Sequence, residues 1–239
     1  MRRVKRVSLL VFAALATWIA VDLLRPRQTD FRQFDAALIG RLDGEMWRSY
    51  YERKPARLFW QLAHSLRAQF NAGFWSSFPM AYRAAKAAFT FKDGQSRDDY
   101  AKALPDLERY FASINELSLT PFDAKAAAQN ELEWWIIRRE RDKYTTADWE
   151  RYIAAVAAEI YRLPQDRFAE YARLRVQAMV LRDERGNAIT EQDWATIASL
   201  LQRSWGELAT AVRSETKAAL LPRVPLYGRN AVAIRRFRA

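Results

Sequence analysis

The sequence predicts an all-α protein: one N-terminal transmembrane helix, a single exported bundle of about eight helices, and an extended basic C-terminal arm. Three observations lead there. Residues Val7 to Leu24 form an apolar run with one charge, Asp22. Only seven Gly and eight Pro occur in 239 residues, Ala and Arg are abundant and β-branched residues are sparse, which favours helices over strands. Beyond the apolar run, hydroxyl residues followed three positions later by an acid recur at places where a helix would start.

Residues 7-24 make a helix of about 27 Å, enough for the hydrocarbon core of a thin bilayer. Arg2, Arg3, Lys5 and Arg6 precede it, so a short N-terminus at 1-6 is expected in the cytoplasm and the remainder outside, in a periplasm if the cell is bacterial. A cleaved secretory signal is the competing reading, with Ala14-Leu15-Ala16 as the cut site. It would leave a greasy start at Thr17 to Val21, so the uncleaved anchor is preferred. Lipid attachment after a signal is excluded, because the chain has no cysteine. The partners implied are the bilayer through 7-24 and a protein of the cell envelope.

Charge location separates a membrane protein from a nucleic-acid binder. The net charge is +11, but residues 1-27 and the arm at 215-239 carry +5 each, leaving 28-214 at +1. A nucleic-acid domain concentrates positive charge on its folded face. This globule is nearly neutral, so no nucleic-acid partner is expected.

In chain order, Asp30 is expected to cap a helix over 30-53, with Phe31, Phe34, Leu38, Leu42, Met46 and Tyr50 on one stripe. Gly40 and Gly44 lie four apart within it and would let a second helix approach closely. Pro55 starts the next helix, 55-71, which Asn71-Ala72-Gly73 closes. An alanine-rich helix follows at 78-91. Ser96-x-x-Asp99, Thr120-x-x-Asp123, Thr145-x-x-Asp148 and Thr190-x-x-Asp193 then predict helices at 97-117, 121-142, 146-162 and 191-213, with another at 165-184 after Pro164. Pro105 divides the first of these into a short turn and a helix from Leu104. No side-chain pattern repeats with the caps, which speaks against a repeat array. Short connections predict antiparallel packing of sequential helices.

The search for chemistry is mostly negative. There is no cysteine nucleophile, glycine-rich phosphate loop or nucleophile elbow, and His64 stands alone, so no catalytic residue, metal site or cofactor is named. Five charged residues fall on apolar stripes: Glu45, Glu131, Arg138, Glu159 and Arg175. Buried charges must be paired. The set therefore forms either a polar pocket in the bundle or a structural network reaching solvent at the helix edges. Adjacent aromatics at Tyr50-Tyr51, Phe74-Trp75 and Trp134-Trp135 cannot share one core face, so one of each pair meets another helix, a partner or a ligand. Trp47, Trp60, Trp149, Trp194 and Trp205 read as core. In the arm, Arg223, Tyr227, Arg229, Arg235, Arg236, Phe237 and Arg238 suit anionic lipid or a partner groove. The expected function is a non-catalytic accessory, scaffold or interaction subunit at the extracytoplasmic membrane face. The alternative is an enzyme or a ligand- or metal-binding protein using the Glu/Arg pocket.

Overall fold

The computed structural model describes residues 2-24 and 27-220, with the side chains of 7-24 and 27-213. Its helices are α1 (Arg2–Leu24), α2 (Ala36–Tyr51), α3 (Pro55–Phe70), α4 (Ser77–Asp93), α5 (Arg97–Ala101), α6 (Leu104–Asn115), α7 (Ala124–Arg139), α8 (Thr146–Tyr161), α9 (Ala169–Arg185) and α10 (Glu191–Leu220). Among the described residues there is no strand. One isolated parallel bridge joins Thr29 to Ser118.

Three of the four expected caps form. Ser96 Oγ accepts from the Asp99 amide at 3.2 Å, and Thr145 and Thr190 make reciprocal capping boxes with Asp148 and Asp193. Pro105 acts as expected, separating α5 from α6 and sitting in the first turn of α6. Three starts differ from the sequence reading: the chain expected to be helical from 165 opens as a 3₁₀ turn over Gln165–Phe168 before α9, and two others move because the chain is claimed elsewhere. Thr29 is held extended by backbone bonds to Leu117 and Leu119, and Phe31 and Phe34 are buried, so the chain cannot coil at Asp30. Asp35 caps α2 instead, accepting from the amides of Ala37 and Leu38. Likewise Thr120 is engaged with Ser118, and Asn115 takes the Phe122 amide, which leaves Asp123 itself to cap α7. At the other end of a helix, Asn71 closes α3 with φ +54°, the left-handed geometry that asparagine tolerates.

Packing follows chain order around a ring. Helix α2 lies on α3, α3 on α4, α4 on α6, then α6 on α7, α7 on α8, α8 on α9, α9 on α10, and α10 returns to α2. Eight helices thus close on themselves, with α5 bracing α4 against α7. The closing contact uses the two glycines. A Cβ on Gly40 would stand 2.7 Å from the Gln202 backbone, whereas one on Gly44 would meet Ala198 at an ordinary 3.5 Å. The second helix that Gly40 and Gly44 admit is therefore α10.

The apolar helix α1 stands apart from this ring. It is long and apolar enough to cross a membrane, and only 6% of its 18-residue window is buried against the rest of the protein. Burial marks the core helices of soluble proteins, so α1 lacks their signature. At the other terminus α10 continues to Leu220, so the stretch at 215-220 is helical where an extended arm was expected. The remaining arm residues, Arg223, Tyr227, Arg229, Arg235, Arg236, Phe237 and Arg238, lie outside the described residues.

The ring closure makes a discriminating prediction. Gly40→Ala forces α2 and α10 apart and is expected to lower stability by about 1–3 kcal/mol, while Gly44→Ala is tolerated. Thermal unfolding of both variants checks it; equal melting temperatures would contradict the close approach at Gly40.

Candidate functional site

The helices leave an open cavity of about 630 Å³, bounded by α2, α3, α4, α7 and α9 and by Arg141 just beyond α7. That volume is in the usual range for small-molecule sites. Helix α2 contributes Asp43, Met46, Trp47, Tyr50 and Tyr51, and α7 contributes Trp134, Trp135, Arg138 and Arg139. Both sets recur at three- and four-residue spacings, so each helix turns one stripe toward the cavity.

Two ion pairs build its polar wall. At one, Arg175 on α9 donates to Asp43, whose Oδ2 also accepts from Trp205 Nε1 at 2.8 Å. Their side chains are 14% and 7% exposed, and the guanidinium also lies over the rings of Tyr171 and Trp205. Burial opposes the Arg175 charge, but the Asp43 carboxylate more than compensates and its pKa stays raised. At the other, Arg138 grips Asp183 with Nε at 3.1 Å and Nη2 at 2.7 Å, and Nη2 reaches Tyr51 Oη at 2.7 Å. Arg141 adds a contact to Asp183 at 3.3 Å. Arg182 stacks on Tyr51, its guanidinium carbon 3.8 Å from the ring centroid.

Glu131 sits one turn before Trp134 and Trp135. Trp135 Nε1 donates to its Oε1 at 3.0 Å. Burial pushes the carboxyl's pKa up; the indoles of Trp134 and Trp135 and the Arg175 charge oppose the rise without cancelling it.

Of the five charged residues expected on apolar faces, two are brought together, Glu131 and Arg175, within electrostatic reach of each other, while Arg138 lines the cavity with Asp183 as its partner. The other two lie apart from these. Glu45 accepts a 3.4 Å bond from Gln61 of α3, and Glu159 lies 3.7 Å from Arg162 on α8. A helical wheel gave their face but not their neighbours. The aromatic pairs do not divide as expected: both members of Tyr50-Tyr51 and of Trp134-Trp135 line the cavity, because neighbours about 100° apart on a helix both reach a wide, open site, and Phe74 and Trp75 both meet Trp18. Trp149 and Trp205 are core, but Trp60 is 53% exposed, a departure from the core reading taken up below. His64 is exposed.

Sequence reasoning missed Asp43, Asp183 and Lys92. Asp43 carried a readable signal: with Trp47 and Tyr51 it forms a second stripe on α2, beside the apolar one. Asp183 and Lys92, near the ends of α9 and α4, look like ordinary surface charges in sequence. Lys92 and Arg139 have no carboxylate within ion-pair distance among the described residues; Arg139 instead covers the rings of Phe91 and Tyr100. Among the described residues no group of three or more His, Cys, Asp or Glu is placed to hold a metal ion.

Two variants probe the polar wall. Arg175→Met leaves Asp43 buried with only an indole partner and is expected to cost about 3–5 kcal/mol, with stability recovered when Asp43→Leu is added. Denaturant unfolding of the single and double variants checks this, and a single variant as stable as the parent would refute it. For Glu131, a raised folded pKa means that its neutral form suits the fold. The associated stability is complete below the unfolded pKa and is lost as pH rises through the folded one. Glu131→Gln should therefore melt progressively above the parent as pH rises from acid to neutral, and a difference independent of pH would contradict the assignment. Compared with known proteins, the chain matches no family model, no curated protein and no solved structure.

Proposed function

We propose that the protein is a membrane-tethered helical domain that works by binding, an accessory subunit at the extracytoplasmic face, and that its ligand enters the cavity of the ring. The cavity is the observation that carries this reading. Its charged groups are mostly committed to one another, as in Asp43 with Arg175 and Arg138 with Asp183, which gives a rigid, preorganised wall. Trp47, Trp134, Trp135 and Phe91 offer flat apolar surfaces, and the unpaired cations Lys92 and Arg139 lie among them. The matching ligand is an anion carried on a flat apolar body. The raised pKa of Glu131 is the one feature that favours a catalytic role.

The tether rests on α1 and on the basic residues before it. With the N-terminus in the cytoplasm, the ring stands on the far side, where its cavity meets envelope partners or solutes.

Calorimetry of the full chain in detergent, with naphthalene-1-sulfonate as probe and 1-naphthylmethanol as its uncharged counterpart, tests the site. The sulfonate is expected to bind the parent more tightly than the alcohol does, and Ala88→Trp, which fills the cavity, should abolish saturable binding. Lys92→Gln or Arg139→Gln should weaken the sulfonate about tenfold, near 1.4 kcal/mol. Identical heats for the parent and Ala88→Trp would overturn the proposal.

A further inference from the structure

The single acid of the apolar helix is not loose at its end. Asp22 is 4% exposed, and its carboxylate accepts from the backbone amides of Phe74, Trp75 and Ser76 at 3.1, 2.8 and 3.2 Å and from Arg27 at 2.9 Å. Gly73 makes room for it, since a Cβ there would fall 2.5 Å from Asp22 Oδ2. The three amides belong to the turn at 74-76 that leads into α4, where the Ser77 amide bonds back to the Gly73 carbonyl, and like the first donors of a helix they take a carboxylate as natural partner. One turn back along α1, Trp18 stacks on Phe74 at 5.5 Å and meets Trp75 edge-on at 5.3 Å. Trp60 and Phe78 complete the group, 6.2 and 5.3 Å from Phe74.

We infer that this aromatic group is a membrane-seated foot: the loop before α4, together with Trp60, enters the phospholipid interface beside α1. This rests on the reading that α1 crosses the bilayer. Trp18 belongs to the apolar span and lies roughly 6 Å deeper than Asp22 along the helix axis. Phe74 and Trp75 touch Trp18, so they share its depth. Trp60 and Trp18 are 53% and 49% exposed, a cost in water but the preferred setting of indole at a lipid boundary. Arg67 supplies the charge. Its guanidinium lies over the rings of Trp60, Phe74 and Phe78, donates to Ser77 Oγ at 2.8 Å, and has no carboxylate within ion-pair distance among the described residues. A cation held among interfacial aromatics is complementary to lipid phosphate. The foot also accounts for Asp22: a carboxylate near hydrocarbon needs its partners before it gets there, and the loop supplies three donors and Arg27 a fourth.

The chain contains no cysteine, so single nitroxide labels can be placed without background. Full-length protein in vesicles of phosphatidylcholine with phosphatidylglycerol would carry labels at Trp60→Cys, at Leu10→Cys within α1, and at Asp142→Cys beyond the cavity end of α7. Collision with dissolved oxygen, which concentrates in lipid, is compared with collision with a water-soluble nickel chelate. The expected result is oxygen-dominated relaxation at positions 10 and 60 and nickel-dominated relaxation at 142. A lipid-like signal at 10 with a water-like signal at 60 would overturn the foot alone. Water-like signals at both would overturn the membrane tether itself.

Discussion

The closure of the ring depends on one buried carboxylate. Asp43 receives the Arg175 guanidinium from α9 and the Trp205 indole from α10, so it ties the first helix of the ring to the last two. Such a pair is expensive to bury and more expensive to break. It is a weak source of net stability but a source of register, because sliding α2 against α9 and α10 by a turn would separate Asp43 from both of its partners. The glycines at 40 and 44 bring the α2 and α10 backbones close enough for these bonds to form.

A ring closed in this way carries an open pocket beside its core. Most of the centre is filled by a continuous core that includes Ile39, Leu66, Phe111 and Ile137, and beside it, where α2 and α7 turn tryptophans and tyrosines toward one another, they leave the cavity. Asp43 belongs both to the closing bond and to the cavity wall, so the strength of the closure and the shape of the site are coupled. On the proposed reading, a ligand in the cavity would rigidify the same contact that holds the ring together.

The same physical rule operates at α1. Asp22, the one charge in the apolar run, is taken up by three amides and an arginine, as Asp43 is by an arginine and an indole. The two sites lie at opposite ends of α4: Asp22 meets the loop before Ser77, and Phe91 and Lys92 border the cavity. Fourteen residues of helix separate Ser77 from Phe91, roughly 21 Å. On the proposed reading, the Phe91 end of α4 and the part of the cavity it borders lie farther from the membrane than the foot.

By itself the sequence determined what depends on nearby residues. Helix class, the capping boxes at Thr145 and Thr190, the break at Pro105, the start at Pro55 and the apolar span of α1 follow from spacings of seven residues or fewer and from composition. Asp30 and Thr120 fail as caps for a tertiary reason: the pairing of Thr29 with Leu117 and Leu119 claims the chain at both places. Which charged residues meet was likewise beyond a helical wheel. Glu45, Glu131 and Glu159 look alike on their stripes, yet only Glu131 lies beside Arg175, because that depends on how far apart α7 and α9 stand across the ring. Only the tertiary structure decided that α10 returns to α2, that Asp43 and not Glu45 closes the ring, and that Asp22 is held by a loop 50 residues away. Local free energies fix helices, but the partners of a buried charge are chosen by the whole fold.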